Sequence, residues 1–169
     1  MMDDGVSLKN KSVETALHVA ARKGNIEILP ILTAKMTDIN PQDCKGCTPV
    51  ALEYEQTACA KYLIPMLDDV LAKNNRGQTA LHLAAGIGHL EIILMLRMTN
   101  INPQDLAGNT PLHEALDHKQ IETAKSLIPI VDDVSLKNES GQCAFRCQTW
   151  KCRIGTNVNC KNGQQEHCR

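Results

Sequence analysis

Cysteine and histidine are the side chains through which this chain could do chemistry, and it holds eight of one and six of the other. Cys44-Lys45-Gly46-Cys47 has the C-x-x-C spacing of a dithiol or metal pair. A redox motif of that kind sets its first cysteine near a helix N-terminus after a strand, where the thiolate is favoured. Here Gly46 marks the tip of a turn, so two exposed, incidental thiols are expected instead. Cys143, Cys147, Cys152, Cys160 and Cys168 crowd the C-terminal stretch together with His167. Arg146, Lys151, Arg153, Lys161 and Arg169 stand there against Glu166, and Trp150 and Ile154 are among its few apolar residues. So little apolar surface cannot build a core, which favours a disordered basic tail with reduced thiols over residues 146–169. A small disulfide-linked knot would need an oxidising compartment. A zinc site is a third reading, although four, seven and seven residues separate the cysteines from Cys147 onward, unlike paired zinc ligands. Translation of an unrelated reading frame is a fourth.

Catalytic patterns are missing from the sequence. It has no G-x-x-x-x-G-K-[ST], no H-E-x-x-H and no G-x-S-x-G. Gly86-Ile87-Gly88 lacks a third glycine and follows a helical pattern, so it is not a nucleotide loop. The carboxylates are scattered, with no pair in contrasting environments. Neither an enzyme nor a bound cofactor or metal is expected. The net charge of −1 favours neither nucleic acid nor an anionic membrane, and 2% aromatics cannot make a base-stacking platform. No apolar run approaches a membrane span, and Met1-Met2-Asp3-Asp4-Gly5 does not read as a signal peptide. The expected location is the cytoplasm or nucleus. Asn10-Lys11-Ser12 and Asn138-Glu139-Ser140 are formal glycosylation sequons that read as chance turns.

The elements behind these residues are clearest over residues 77–93. Gly77 suits a chain reversal at positive φ. Thr79 has the hydroxyl of a helix N-cap. Leu81, Ala84 and Ala85 make one apolar face at helical spacing. Gly88 closes that helix, and Glu91 opens a second whose stripe is Ile92, Ile93 and Leu96. Helices this short are marginal alone, so each pair must stack on copies of itself.

The copies are present. Thr15-Ala16-Leu17-His18, Thr48-Pro49-Val50-Ala51, Thr79-Ala80-Leu81-His82 and Thr110-Pro111-Leu112-His113 mark four starts, and Gln142-Cys143-Ala144-Phe145 a degraded fifth. They lie 33, 31, 31 and 33 residues apart, counted from Thr15 through to Cys143. Gly24, Asn25 and Glu27, then Gly88, His89 and Glu91, link the helices of their units. Asp43 with Gly46, and Asp105 with Gly108, form an Asp-x-x-Gly turn. Period and signature together resemble the ankyrin repeat over residues 3–145. The resemblance implies an all-α solenoid of paired short antiparallel helices with β-hairpin-like loops and an irregular C-terminal tail. Its expected divisions are an end of a preceding repeat or arm at 1–8, repeats at 9–40, 41–73, 74–102 and 103–137, and a truncated fifth at 138–145.

The resemblance also implies a function, namely non-catalytic binding of a protein partner as adaptor, scaffold or inhibitor. Hairpin tips and the concave face of the first helices carry such binding. The tip candidates are Lys9, Lys11, Asp43, Lys45, Asn75, Arg76, Asp105, Leu106 and Glu139. The helix-face candidates are Arg22, Lys23, Glu55, Ile87, Asp117 and His118, graded from basic to acidic along the groove. Thr15, His18, Gly24, Gly46, Thr48, Gly77, Thr79, His82, Gly88, Gly108, Thr110, His113 and Gly141 are the structural signature. Its histidines bridge neighbouring repeats in the family, and packed helices some 8–10 Å apart keep them from sharing a metal. Two alternatives stand beside this reading: a piece of a longer array without activity of its own, and a metal- or redox-responsive regulator using the tail cysteines. A monomer, or a part of a larger array, is expected.

Departures from the pattern carry further expectations. Ile39-Asn40-Pro41-Gln42-Asp43 recurs as Ile101-Asn102-Pro103-Gln104-Asp105, and Asp68-Asp69-Val70 as Asp132-Asp133-Val134, so odd repeats resemble odd and even resemble even. Val13 replaces the first turn glycine. Repeat two has Ala51 for histidine and lacks the mid-repeat glycine. Pro65 and Pro129 stop their helices, and Pro30 should kink the second helix of repeat one. Met1 to Val6 align with Met66 to Val70, so both ends read as cut within a repeat. Ile121, Ala124, Leu127 and Ile128 would then lack a full neighbour.

Overall fold

Short apolar stripes interrupted at fixed intervals give short helices at fixed intervals. The structure, a computed structural model, describes residues 7–50, 56–67, 69–96, 101–131 and 133–144. Among these, the α-helices are α1 (Ala16–Lys23), α2 (Leu29–Thr33), α3 (Thr57–Leu63), α4 (Ala80–Ile87), α5 (Leu90–Leu96), α6 (Pro111–Asp117) and α7 (Ile121–Leu127). No strand occurs among the described residues, and one isolated antiparallel bridge joins Lys137 to Cys143. The fold is the all-α repeat stack. Glu55 and the tail from Phe145, with Cys147, Cys152, Cys160, His167 and Cys168, lie outside the described residues.

Within a unit, α1 packs on α2, α4 on α5 and α6 on α7. Between units, α4 packs on α6, α3 on α5 and α5 on α7. First helices thus form one layer and second helices another. The seam is aliphatic: Leu17, Leu29, Leu63, Leu81, Ile92, Ile93, Leu96, Leu112 and Leu127 are fully buried. Burying such a side chain contributes about 1.5–3 kcal/mol. Ala20, Ala84, Ala85, Ala115 and Ala124 are buried among them, and their small size lets the helices approach closely.

Helix ends follow local chemistry. Gly24 (φ 73°) and Gly88 (φ 92°) close α1 and α4 in the left-handed conformation that glycine adopts without strain. Lys119 takes the same conformation after α6, at φ 59°. Pro30 does not kink a helix. A 3-10 turn at Ile26–Ile28 comes first, and α2 then begins with Pro30 in its opening turn, where the missing N–H is tolerated. Pro65 lies just past the end of α3, as expected, inside a 3-10 turn, Ile64–Met66, that follows it directly. The stripe expected to lack a full neighbour is nevertheless largely covered. Ala124 and Leu127 are fully buried and Ile121 and Ile128 partly so, because α7 turns this stripe onto α5 and α6 and Ala144 packs against the same core.

Candidate protein-binding surface

Five turns stand in register along one edge of the stack. Each is headed by an asparagine or aspartate: Asn10, Asp43, Asn74, Asp105 and Asn138. Each head closes the turn by donating its N–H to a carbonyl four residues on, at 2.9 Å every time: Glu14, Cys47, Gln78, Asn109 and Gln142. Its side-chain Oδ1 reaches into the turn as well. Asp43 Oδ1 accepts from the N–H groups of Lys45 and Cys47, both at 2.8 Å, and Asp105 Oδ1 from those of Ala107 and Asn109 at 2.9 and 2.7 Å. Asn10 and Asn74 do the same for their own turns. Such local bonding is why these residue types head turns.

The third residue after each head is left-handed: Gly46, Gly77, Gly108 and Gly141, but Val13 at φ 63° in the first turn. Three of these glycines meet a second constraint. A Cβ on Gly77 would lie 2.7 Å from the Leu106 nitrogen, and Gly46 and Gly108 face Asn75 and Glu139 in the same way. The cause is a ladder between tips. The N–H groups of Cys44, Asn75, Leu106 and Glu139 donate to the carbonyls of Ser12, Lys45, Arg76 and Ala107 at 2.9–3.1 Å. Backbone polar groups at the tips are therefore consumed by neighbouring tips, while side chains project outward.

The structure sorts the tip candidates accordingly. Asp43 and Asp105 spend Oδ1 on their own turns. Asn75 Nδ2 donates to the Cys44 carbonyl at 3.1 Å, and Lys9 Nζ reaches the Gln42 carbonyl at 3.5 Å. Lys11, Lys45, Arg76, Leu106 and Glu139 are exposed along the edge, and Leu106 is 69% exposed. Cys47 is buried, contrary to the expectation of two surface thiols, because its backbone closes the turn; Cys44 is exposed.

Behind the tips, threonine and histidine lock each first helix. Thr15, Thr79 and Thr110 are the N-caps of α1, α4 and α6, and each hydroxyl accepts from the backbone N–H three residues on. That third residue is histidine in all three. Its Nδ1 accepts from the threonine N–H at 3.1 Å, filling the place a Glu or Gln takes in the usual capping box. Nε2 then meets a carbonyl of the following turn at 3.1 Å: His18 with Cys47, His82 with Asn109, His113 with Gln142. A carbonyl can only accept, so the proton sits on Nε2 and each ring is neutral. Burial holds His82 below its ordinary pKa, opposed by the Asn109 bond and the Asp105 charge. Thr48, the corresponding residue of repeat two, is also buried.

The first-helix candidates do not form one cluster. Arg22 is half-buried and paired with Glu14 at 3.5 Å, and Lys23 is exposed at the end of α1. Ile87 is half-buried on α4, while Asp117 and His118 are exposed at the end of α6. The α4–α6 junction supplies a polar group that the candidates omit. Gln78 Nε2 donates to Glu114 Oε1 at 3.2 Å, and His118 Nδ1 lies 3.6 Å from the other Glu114 oxygen. Burial raises the Glu114 pKa, with the Gln78 bond and the His118 charge opposing. Asn10, Asn74 and Asn138 were also unmarked, although each stands three residues before its turn residue, as Asp43 and Asp105 do. Among the described residues no cluster of histidine, cysteine or carboxylate could hold a metal ion.

Comparison with known proteins follows the same lines. The family model described as "Ankyrin repeats (3 copies)" matches residues 2–74 and 50–138. Human inversin is 29% identical over 142 residues, which is 79% of this chain and 13% of inversin. Alpha-latrotoxin-Lg1a of Latrodectus geometricus is 41% identical over 110 residues, 60% of this chain and 8% of the toxin. Mouse protein phosphatase 1 regulatory subunit 12A is 35% identical over 109 residues, 62% of this chain and 10% of that subunit. The chain thus spans only a small part of each of these relatives.

Proposed function

The chain belongs to the ankyrin-repeat family, and from that premise we propose that it is a non-catalytic binding module whose partner is a protein. Ankyrin repeats in general are protein–protein interaction modules, and the family is typically non-catalytic. The partner lies along the tip edge, with Lys11, Lys45, Arg76, Leu106 and Glu139 as the contacting side chains. The observation that supports this reading is the ladder between tips. It ties the tip backbones to one another and so holds the points from which the side chains project at repeat spacing, which leaves little backbone ordering cost on binding. Lys23, Asp117 and His118 extend the surface toward the first-helix layer. Among the described residues no helix is long and apolar enough to span a bilayer.

The reading is tested by affinity capture with three baits: the unaltered chain, a tip variant (Lys45→Glu, Arg76→Glu, Leu106→Asp), and a control altered at Leu94 on α5, which is also exposed. Proteins retained by the unaltered chain and the Leu94→Asp control, but lost from the tip variant, are the expected result. Equal retention by all three would rule the tips out.

A further inference from the structure

We infer that the partner lays along the tip edge an extended segment in the polyproline II form, with a carboxylate at every third residue on the first three tips and an apolar residue on the fourth. The inference rests on the tip reading and gives it a partner chemistry. Charge is its first support. From the residue ahead of each turn head to the left-handed residue, the first three tips hold Lys9, Lys11, Lys45, Lys73 and Arg76, all exposed. Asp43 is the one carboxylate in those spans, and its Oδ1 is bonded to two N–H groups of its own turn. Glu14, just past the first turn, is half-buried and held by Asn10 Nδ2 at 2.8 Å and by Arg22 at 3.5 Å. Lys9 and Lys73 reach the Gln42 and Gln104 carbonyls at 3.5 and 2.8 Å, which are dipoles and not countercharges. No carboxylate among the described residues forms an ion pair with Lys11 or Arg76. The same spans of the fourth and fifth tips reverse the balance, with Asp105 and Glu139 against Lys137. The whole chain carries a net charge of −1, so the positive strip is local to this part of the edge.

Spacing is the second support. Each tip is bonded to the next by one backbone N–H, so the tips keep the spacing of the helices packed behind them, about 8–10 Å. A polyproline II chain rises about 3.1 Å per residue with three residues per turn, so every third side chain returns to one face about 9 Å further on. A β-strand would turn alternate members of that series away. Carboxylates three residues apart therefore meet Lys11, Lys45 and Arg76 in turn, and the next such side chain meets Leu106, which is 69% exposed. Glu139 on the fifth tip repels an acid there, so the acidic end lies toward the first repeat. A uniform polyanion such as RNA would meet Leu106 and Glu139 as readily as the cations, which favours a segment acidic at one end. A cavity of 330 Å³, whose lining includes Lys45, Asn75, Arg76, Gln78 and Leu83, gives one of the carboxylates a recess between the second and third tips.

The test titrates the chain into fluorescent peptides at low salt and reads anisotropy. One peptide is Glu-Pro-Pro-Glu-Pro-Pro-Glu-Pro-Pro-Leu; its control has the same residues with the three glutamates contiguous. Both are also made in reverse order, since the edge does not fix the direction of the segment. In one direction the spaced peptide is expected to bind at least about tenfold more tightly than its control. Arg76→Glu should weaken it about fivefold, the scale of an exposed ion pair lost. Lysine in place of the glutamate nearest the leucine should recover that loss, and lysine in place of the farthest glutamate should not. No binding, or equal binding of spaced and contiguous peptides in both directions, would overturn the proposal. Recovery by either lysine would also overturn it, because the effect would then be net charge without register. So would displacement of the spaced peptide by an equal concentration of ten-nucleotide oligouridylate, which would assign the strip to nucleic acid. Affinity capture with the tip variant is read separately. Proteins still lost from that variant while no peptide binds would leave the tip reading standing with another partner chemistry.

Discussion

Val13 and Gly77 hold the same turn position and the same sign of φ, at 63° and 76°, but only one of them has a side chain. A β-branched residue there carries roughly 1–2 kcal/mol of strain. Val13→Gly is accordingly expected to raise the urea midpoint, the gain being limited by the added freedom of glycine in the unfolded chain. Gly77→Ala and Gly141→Ala separate two costs. Both impose the left-handed strain, but only at Gly77 does the new Cβ strike the next tip, while nothing lies within 4 Å of Gly141. Gly77→Ala should cost about 2–3 kcal/mol and Gly141→Ala about 1, read from denaturant curves. His82 gives a pH test. Its folded pKa is below the ordinary 6.5, so the unfolded chain binds the proton first. Its contribution is complete above pH 6.5 and is lost as the pH falls below that value toward the folded pKa. Unfolding at pH 7.5 and pH 5 should show this loss, and His82→Gln should flatten the difference. At this scale the threonines and histidines were legible because their types recur in register. The histidine bridge between repeats came from the family resemblance and is present, with Nε2 on a carbonyl 27 or 29 residues away; the second role of the same ring, accepting from the threonine N–H at the cap, was not read from the sequence.

Helices, not single groups, decide how units adhere. Where α3 meets α5, Ile92 of α5 is fully buried, and the Lys61–Glu91 pair that crosses the junction is exposed. Ile92→Ala should cost about 2–5 kcal/mol, the range for emptying a fully buried aliphatic site. Glu91→Gln should cost under about 1 kcal/mol and less still in high salt, since exposed ion pairs are weak and screened. Chemical denaturation of the two variants at low and high salt checks both expectations. Element positions were readable from glycine breaks and apolar spacing. In the sequence Pro30 reads as a kink, because nothing there separates Ile26–Ile28 from the helix that follows. Only backbone geometry reveals that a 3-10 turn absorbs the first part, which leaves proline in an opening turn.

Across the whole molecule, composition alone foretold an aliphatic seam, and the period foretold its segmentation. It did not foretell that the stack is unequal along its length. Helix α5 is packed by α3 on one side and α7 on the other, and α4 by α5 and α6, while the first pair is open at Ile26, Ile28 and Ile31. Amide hydrogen exchange should therefore be slowest in α4 and α5 and faster in α1 and α2, with mass-resolved peptides as the readout. Equal protection in the two regions would contradict a stack held by nearest neighbours. The tip ladder gives the same architecture a mechanical character. Its rungs run from Cys44 to Ser12, Asn75 to Lys45, Leu106 to Arg76 and Glu139 to Ala107, so each spans one junction. A pull along the stack loads every rung head-on instead of in shear, and one junction can part while the others remain closed. Stretched from its two ends, such a chain lengthens in successive small yields and recoils when released, in the manner of a soft spring.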